Sequence, residues 1–270
     1  MKYPGIVLLI VILFLSGLFY NNHITDNSNN VFRLNQSENI FQKDSLKIMT
    51  YNIQHGVGMD NKLNLNRTAG VINSVNPGII GLNEVDNRLY RSNFKNQMKI
   101  LSMKLGMNYV SGPNLKSITG NYGNGILSKY PVKKINNHEL PTRNGREPRG
   151  LLETEVLIPP SFNLKVFVTH LSLEKEDRVK QWEWILNYIN DLEEPFILMG
   201  DFNFEQNYTN NSNYLLASAE TFPSTEPVQK IDMFFSNSLV EKKSYVVDSQ
   251  ASDHLPLVVE VGVNKFAKEL

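Results

Sequence analysis

The sequence predicts an α/β domain in which two β-sheets pack together with helices on their outer faces. Strand–helix–strand text occurs twice, over residues 46–84 and 164–203, and such units make parallel pairs with right-handed crossovers. Between them, Gly123–Ser128 and Leu151–Ile158 read as antiparallel strands. The helical stretches are amphipathic, and each needs a sheet face to cover.

The chain opens MKYPGIVLLIVILFLSGLFY, and after Lys2 the run Ile6–Tyr20 carries no charge. A positive start ahead of an apolar run at the extreme N-terminus reads as an export signal. Its length is at the upper limit for a cleaved signal peptide and the lower limit for a membrane span. Ser16 and Gly17 are adjacent and follow Leu15, so no small-x-small cleavage site is offered and an uncleaved signal anchor is favoured. Residues 1–20 are thus expected to be a signal anchor or signal peptide. Either one makes the body extracytoplasmic, membrane-anchored or secreted. Residues 21–45 are polar and aperiodic and read as a tether, which discounts His23 as a ligand. One globular domain is expected over 46–262, followed by a tail at 263–270.

Within the domain, Leu46–Tyr51 is strand-like and ends in Asn52. A helical pattern covers Asn66–Val75, Pro77-Gly78 breaks it, and Ile79–Leu82 is a second strand ending in Asn83-Glu84. Further on, Leu164–Thr169 leads into His170, Asp177–Asp191 is an amphipathic helix, and Phe196–Met199 leads into Gly200-Asp201-Phe202-Asn203. Lys230–Ser236 alternates as a strand with Asp232 opposite Ile231, and Ser252-Asp253-His254 precedes the strand Leu255–Val261. Ligands in α/β sheets collect at the carboxyl ends of strands, so Asn52, Glu84, His170, Asp201 and Asn203 are expected at one site. Trp182 and Trp184 share a helix, and only one can face the sheet; core packing is the expectation.

Lys+Arg and Asp+Glu both number 27, which argues against a protein held to nucleic acid by a broad basic face but not against a local grip on one phosphate. The absence of cysteine excludes disulfides, zinc–cysteine sites, iron–sulfur clusters and thiol nucleophiles. A metal must sit on oxygen or imidazole, with five histidines in the chain. Carboxylate and amide oxygens suit Mg²⁺ or Mn²⁺, whereas zinc would want more imidazole or thiolate than can converge here. Acid beside histidine gives an oriented imidazole, and a remaining carboxylate can orient and deprotonate water. The combination suits attack of water on a phosphoester. Singly, Asn52, the Gly-Asp-Phe-Asn segment and Ser-Asp-His also read as turns or caps.

The segments Thr50-Tyr51-Asn52, Gly81-Leu82-Asn83-Glu84-Val85, Thr169-His170-Leu171, Gly200-Asp201-Phe202-Asn203, Lys230-Ile231-Asp232 and Ser252-Asp253-His254 are highly specific as a set. In order and spacing the chain resembles the endonuclease/exonuclease/phosphatase superfamily, the DNase I-like metal-dependent phosphoesterases, over roughly Leu46 to Val261. One departure is Asn83, where that family more often has Gln before the Glu. The resemblance implies a four-layer α/β sandwich of two packed mixed β-sheets. It also implies that Glu84, with Asn52 and Asp253, holds a divalent metal, Mg²⁺ or Mn²⁺. Asp201 would orient or deprotonate water and Asn203 would bind a phosphoryl oxygen. His254, oriented by Asp232, and His170 would stabilise the transition state or assist the leaving group.

Arg149, just before a strand, could fork onto a phosphate or be a surface arginine beside a turn, and Asn124 could line the cleft. Gly120–Gly125 lacks the Lys-Ser/Thr of a P-loop. His55 is expected near the site without being a ligand, and His138 has no motif around it. The leading expectation is an exported metal-dependent phosphodiesterase or phosphatase on a lipid headgroup, a small molecule or nucleic acid. Contact with a membrane would come through the N-terminal segment, and nothing in the sequence points to a protein partner. A secreted nuclease and a non-catalytic binding module of the same fold are the competing readings.

Overall fold

A computed structural model of the chain describes residues 31–32, 45–205 and 214–262. The expected signal segment 1–20, His23, most of the tether and the tail 263–270 lie outside the described residues.

The first sheet has seven strands among the described residues: β1 (Val31–Phe32), β2 (Ser45–Asn52), β3 (Ile79–Asn87), β4 (Asn108–Lys116), β5 (Asn121–Ser128), β12 (Glu241–Val246) and β13 (Leu257–Gly262). Their order across the sheet is β1-β4-β5-β3-β2-β13-β12. The second has six, in the order β10-β11-β9-β8-β7-β6: β6 (Val132–Glu139), β7 (Gly150–Ile158), β8 (Phe162–His170), β9 (Phe196–Asp201), β10 (Leu215–Ser218) and β11 (Asp232–Ser236). Each sheet holds one of the two expected parallel pairs, β2 with β3 and β8 with β9. The other pairs are antiparallel, so both sheets are mixed.

Strand alternation sorts the apolar side chains into layers. Leu46 and Ile48 of β2 join Val166, Val168, Ile197 and Met199 of the second sheet in one core between the sheets. Met49 and Tyr51, on the other face of β2, pack with helices α1 (Leu65–Val75) and α2 (Gln97–Leu105). Phe167, Phe196 and Leu198 face helix α3 (Lys175–Asn190) through Trp182, Ile185 and Ile189. The result is helix, sheet, sheet, helix, a four-layer α/β sandwich. Burial of each large apolar side chain contributes about 1.5–3 kcal/mol. Asn64 caps α1 by accepting from the amides of Asn66 and Arg67, and left-handed Asn76 ends it. No helix among the described residues is long and apolar enough to cross a membrane.

The sequence reading offered no element for β4, β6, β10, β12 or Gln97–Leu105, and two further features depart from it. Val31 and Phe32, inside the expected tether, pair with Val110 and Tyr109 at the sheet edge. Backbone pairing needs no apolar periodicity, so the polar text around them hid the strand. β3 does not stop at Leu82; it continues to Asn87 across a register shift between Leu82 and Val85. The shift sits where Glu84 takes a left-handed φ of 60°.

Candidate active site

The two parallel pairs end side by side. Registers Asn52↔Asn83 and His170↔Asp201 close β2–β3 and β8–β9, and Asp232↔Asp201 brings in the start of β11. All the strand-end residues expected from the sequence therefore meet at one end of the sandwich.

On the first sheet, the Asn52 amide nitrogen donates to Glu84 Oε1 at 3.3 Å and to Asp201 Oδ2 at 3.1 Å. Its Oδ1 accepts from the Gln54 backbone amide at 3.1 Å. The chain then turns through Gln54 and His55, both at positive φ. Gln54 Nε2 donates to Asp253 Oδ2 at 3.1 Å, and His55 Nδ1 lies 3.8 Å from Glu84 Oε2. Buried Gln97 fixes this turn, donating to the His55 carbonyl and accepting from the Asp86 amide. Burial works against the Glu84 charge, but His55, His170 and the Asn52 amide hold its carboxyl at about 2. Asp253 is raised by burial; the His254 imidazolium opposes this and the Glu84 carboxylate adds to it.

On the second sheet the groups are buried. Asp201 Oδ2 lies 3.4 Å from His170 Nε2 and 3.6 Å from His254 Nε2. His254 Nδ1 bonds Asp232 Oδ2 at 2.8 Å, and that oxygen also accepts from Thr221 Oγ1 at 2.6 Å. Burial and the Asp232 charge raise Asp201, against the pull of His254. Burial alone would keep His254 neutral, but Asp232 and Asp201 raise it to about 10. His170 goes the other way: burial, then the charges of Arg149 and His254, push it well below the usual histidine value. At neutral pH one imidazole is a cation and the other is not.

A buried node joins the halves. Asn83 donates to Asn124 Oδ1 at 2.9 Å and to the Thr169 carbonyl at 2.8 Å, and accepts from the Asp201 amide at 3.0 Å. Close approach is needed here, since a Cβ on Gly200 (φ 144°) would lie 1.9 Å from the Thr169 carbonyl. Asn203 (φ 53°) donates its backbone amide to Asp201 Oδ1 and one side-chain N–H to the Leu171 carbonyl, and among the described residues its second N–H has no partner.

Arg149 is buried at this end rather than on the surface. Its Nη1 meets Glu147 Oε1 at 3.1 Å, its Nε has no partner among the described residues, and its charge is felt by His170. Asn124, expected to line the cleft, is buried beneath it. Its amide nitrogen donates to the carbonyls of Gly150 and Val168, so it clamps Asn83 and does not face a substrate. His138 lies away from the site, against Glu153 at 2.7 Å, and Trp182 is the tryptophan that enters the core. Sequence reasoning passed over Thr221, Gln54 and the bridging role of Asn83. Gln54 stood two residues from a recognised Asn, whereas Thr221 carries no local signal at all.

Among the described residues, Asp201, Asp232 and His254 offer ligand atoms within 4.8 Å of one another. His254 Nδ1 and Thr221 engage Asp232 Oδ2, while Asp232 Oδ1 has no partner among the described residues. Glu84 and Asp253, two carboxylates that feel each other's charge, supply further hard oxygens beside this group.

A model described as the Endonuclease/Exonuclease/phosphatase family matches residues 49–254. The uncharacterized protein YbhP of Escherichia coli K12 is 24% identical over 247 residues, spanning 82% of this chain and 97% of its own length. The solved structure of an endonuclease/exonuclease/phosphatase from Beutenbergia cavernae DSM 12333 superposes with a TM-score of 0.65 at 23% identity, covering 82% of this chain and 72% of that one. Mannosyl-6-phosphatase Bt3783 of Bacteroides thetaiotaomicron VPI-5482 also gives 0.65, at 18% identity, covering 80% and 99%.

Proposed function

The chain belongs to the endonuclease/exonuclease/phosphatase family, whose members are phosphoesterases and nucleases, and within it we propose that this protein is a metal-dependent phosphoester hydrolase, exported or membrane-tethered. The observation that carries the reading is Asp201 held between two imidazoles, one cationic and one neutral, near Glu84 and Asp253.

Glu84 and Asp253 would hold Mg²⁺ or Mn²⁺, with Asn52 steadying Glu84 through its amide. Bound there, the cation offsets charge on the phosphoryl oxygens. Asp201, buried and raised, is a carboxylate suited to orient a water molecule and accept its proton as the water oxygen attacks phosphorus. The His254 imidazolium, fixed by Asp232, offsets charge on the phosphoryl group and can release a proton to the departing oxygen. Neutral His170 donates or accepts a hydrogen bond without adding charge. Arg149 and the second N–H of Asn203 remain to grip phosphoryl oxygens, which is the local phosphate grip that a chain of zero net charge requires.

The test is turnover of bis-p-nitrophenyl phosphate and p-nitrophenyl phosphate by the full chain. Hydrolysis that needs Mg²⁺ or Mn²⁺, stops in EDTA and returns on adding metal back supports the reading. Activity unaffected by EDTA, or none on any phosphoester in a panel with plasmid DNA and phospholipid vesicles, overturns it.

A further inference from the structure

The large apolar side chains exposed in loops are not spread evenly. β4 runs parallel to β3, so the β4–β5 turn lies at the site end of the first sheet, as do the segments that follow β2 and β3. The segments after β8 and before β11 lie at the site end of the second. Tyr90, Phe94, Ile118, Leu173 and Val228 occupy these segments, and Ile118, at the tip of the β4–β5 turn, is fully exposed. In the connections at the opposite end, among the described residues, Val240 alone is of this kind.

Charge is uneven too. The whole chain is neutral, yet residues 87–138 contain no Asp or Glu and nine Lys or Arg. Arg88, Lys95 and Lys116 of that stretch are exposed beside the apolar tips.

We propose that the rim formed by Tyr90, Phe94, Ile118, Leu173 and Val228, with Arg88, Lys95 and Lys116, is a docking surface for an anionic lipid bilayer, and that it turns the mouth of the site toward the membrane. Aromatic and aliphatic tips enter the headgroup region while cations meet anionic lipid, as on interfacial amphipathic segments. Single-stranded nucleic acid is the weaker fit, because bases stack on aromatic rings and three of the five tips, Ile118, Leu173 and Val228, are aliphatic. The orientation rests on the proposed site only in naming what the mouth contains, and its test reads no turnover.

The chain has no cysteine, so single labels are direct to place. Full-length Ile118→Cys, Tyr90→Cys and Val240→Cys proteins carry a bimane label and are mixed with phosphatidylcholine–phosphatidylglycerol vesicles that contain doxyl lipid. The expected result is emission quenched about twofold or more at 118 and 90 and unchanged at 240, with the effect reduced in high salt or without the anionic lipid. Vesicle-bound protein with no quenching at 118 and 90, or with equal quenching at all three labels, overturns the proposal. So does a response of the 118 and 90 labels to a single-stranded oligonucleotide with none to vesicles. Hydrolysis of bis-p-nitrophenyl phosphate by the same labelled proteins reports separately on the reaction, so either idea can fail without the other.

Discussion

The two sheets meet at one mouth but furnish it differently. The first contributes buried Asn52 together with Glu84 and the Gln54–His55 turn, which are partly open to solvent and shaped by left-handed backbone at Gln54, His55 and Glu84. The second contributes His170, Asp201 and Asp232 on regular strand ends, all buried. His254 belongs by sequence to the first sheet and by contact to the second, through Asp232. The difference teaches what each kind of support is for. Bent, open backbone keeps carboxylates within reach of solvent, whereas burial moves proton affinities.

The strongest way to break this division is to compare Asp201→Asn with Glu84→Gln. Asp201→Asn keeps the size of the side chain but removes the proton acceptor, and turnover should fall about 10³-fold or more with metal affinity kept. Glu84→Gln should instead raise the metal concentration needed for half-maximal rate by more than about 100-fold, since even indirect partners of a metal ligand are worth 10–100-fold. Isothermal titration with Mn²⁺ beside steady-state rates checks both. Equal loss of metal affinity in the two variants would dissolve the distinction.

Next comes the pair of histidines facing Asp201. His254→Ala should lower turnover about 10²–10⁴-fold and His170→Ala by less, because only His254 carries charge to place against the phosphoryl group. Stability in EDTA should separate them by sign. His254 is raised from 6.5 to about 10, so its contribution is full below about pH 6.5 and is lost as pH rises toward 10. His170 is depressed, so its contribution is present above about 6.5 and is lost as pH falls below that. Thermal melts across pH should show Asp232→Asn flattening the alkaline limb and His170→Ala the acid limb. The opposite assignment would reverse the roles.

Much of this was legible in the sequence, for a physical reason. A polar residue ending an apolar strand has its side chain at the sheet edge, so Asn52, Glu84, His170 and Asp201 could be gathered before any contact was known. What was not legible depends on which way a side chain turns after the strand. Asn124 reads as a cleft residue in a glycine-rich run, yet the pleat points it inward to the Gly150 and Val168 carbonyls. Thr221 reaches Asp232 from a loop that no period describes. Edge strands β6 and β12, largely exposed and charged, lack the apolar text that betrays a central strand.

Asn83 ties the two halves, and its loss sharpens the comparison by acting on both. In Asn83→Ala the Thr169 carbonyl, the Asp201 amide and Asn124 Oδ1 lose a buried partner together. An unsatisfied buried group costs about 1–3 kcal/mol, so a destabilisation of about 3 kcal/mol or more is expected in urea unfolding. Asn83→Gln, the residue more usual in the family, tests whether the close approach at Gly200 tolerates the extra methylene.

The smallest expected effect comes from the second sheet itself, away from its mouth. Lys134 on edge strand β6 pairs with Glu155 at 2.7 Å, a shorter contact than any to Asp201, but the lysine is 76% exposed. Solvent and salt screen such a pair, and it contributes about 0–1 kcal/mol. Lys134→Ala should therefore shift the melting temperature by no more than about 2–4 °C and leave turnover unchanged. A shift as large as that of Asn83→Ala would mean that distance, not burial, sets the strength of polar contacts here. The contrast drawn between the open and the buried side of the mouth would then lose its physical basis.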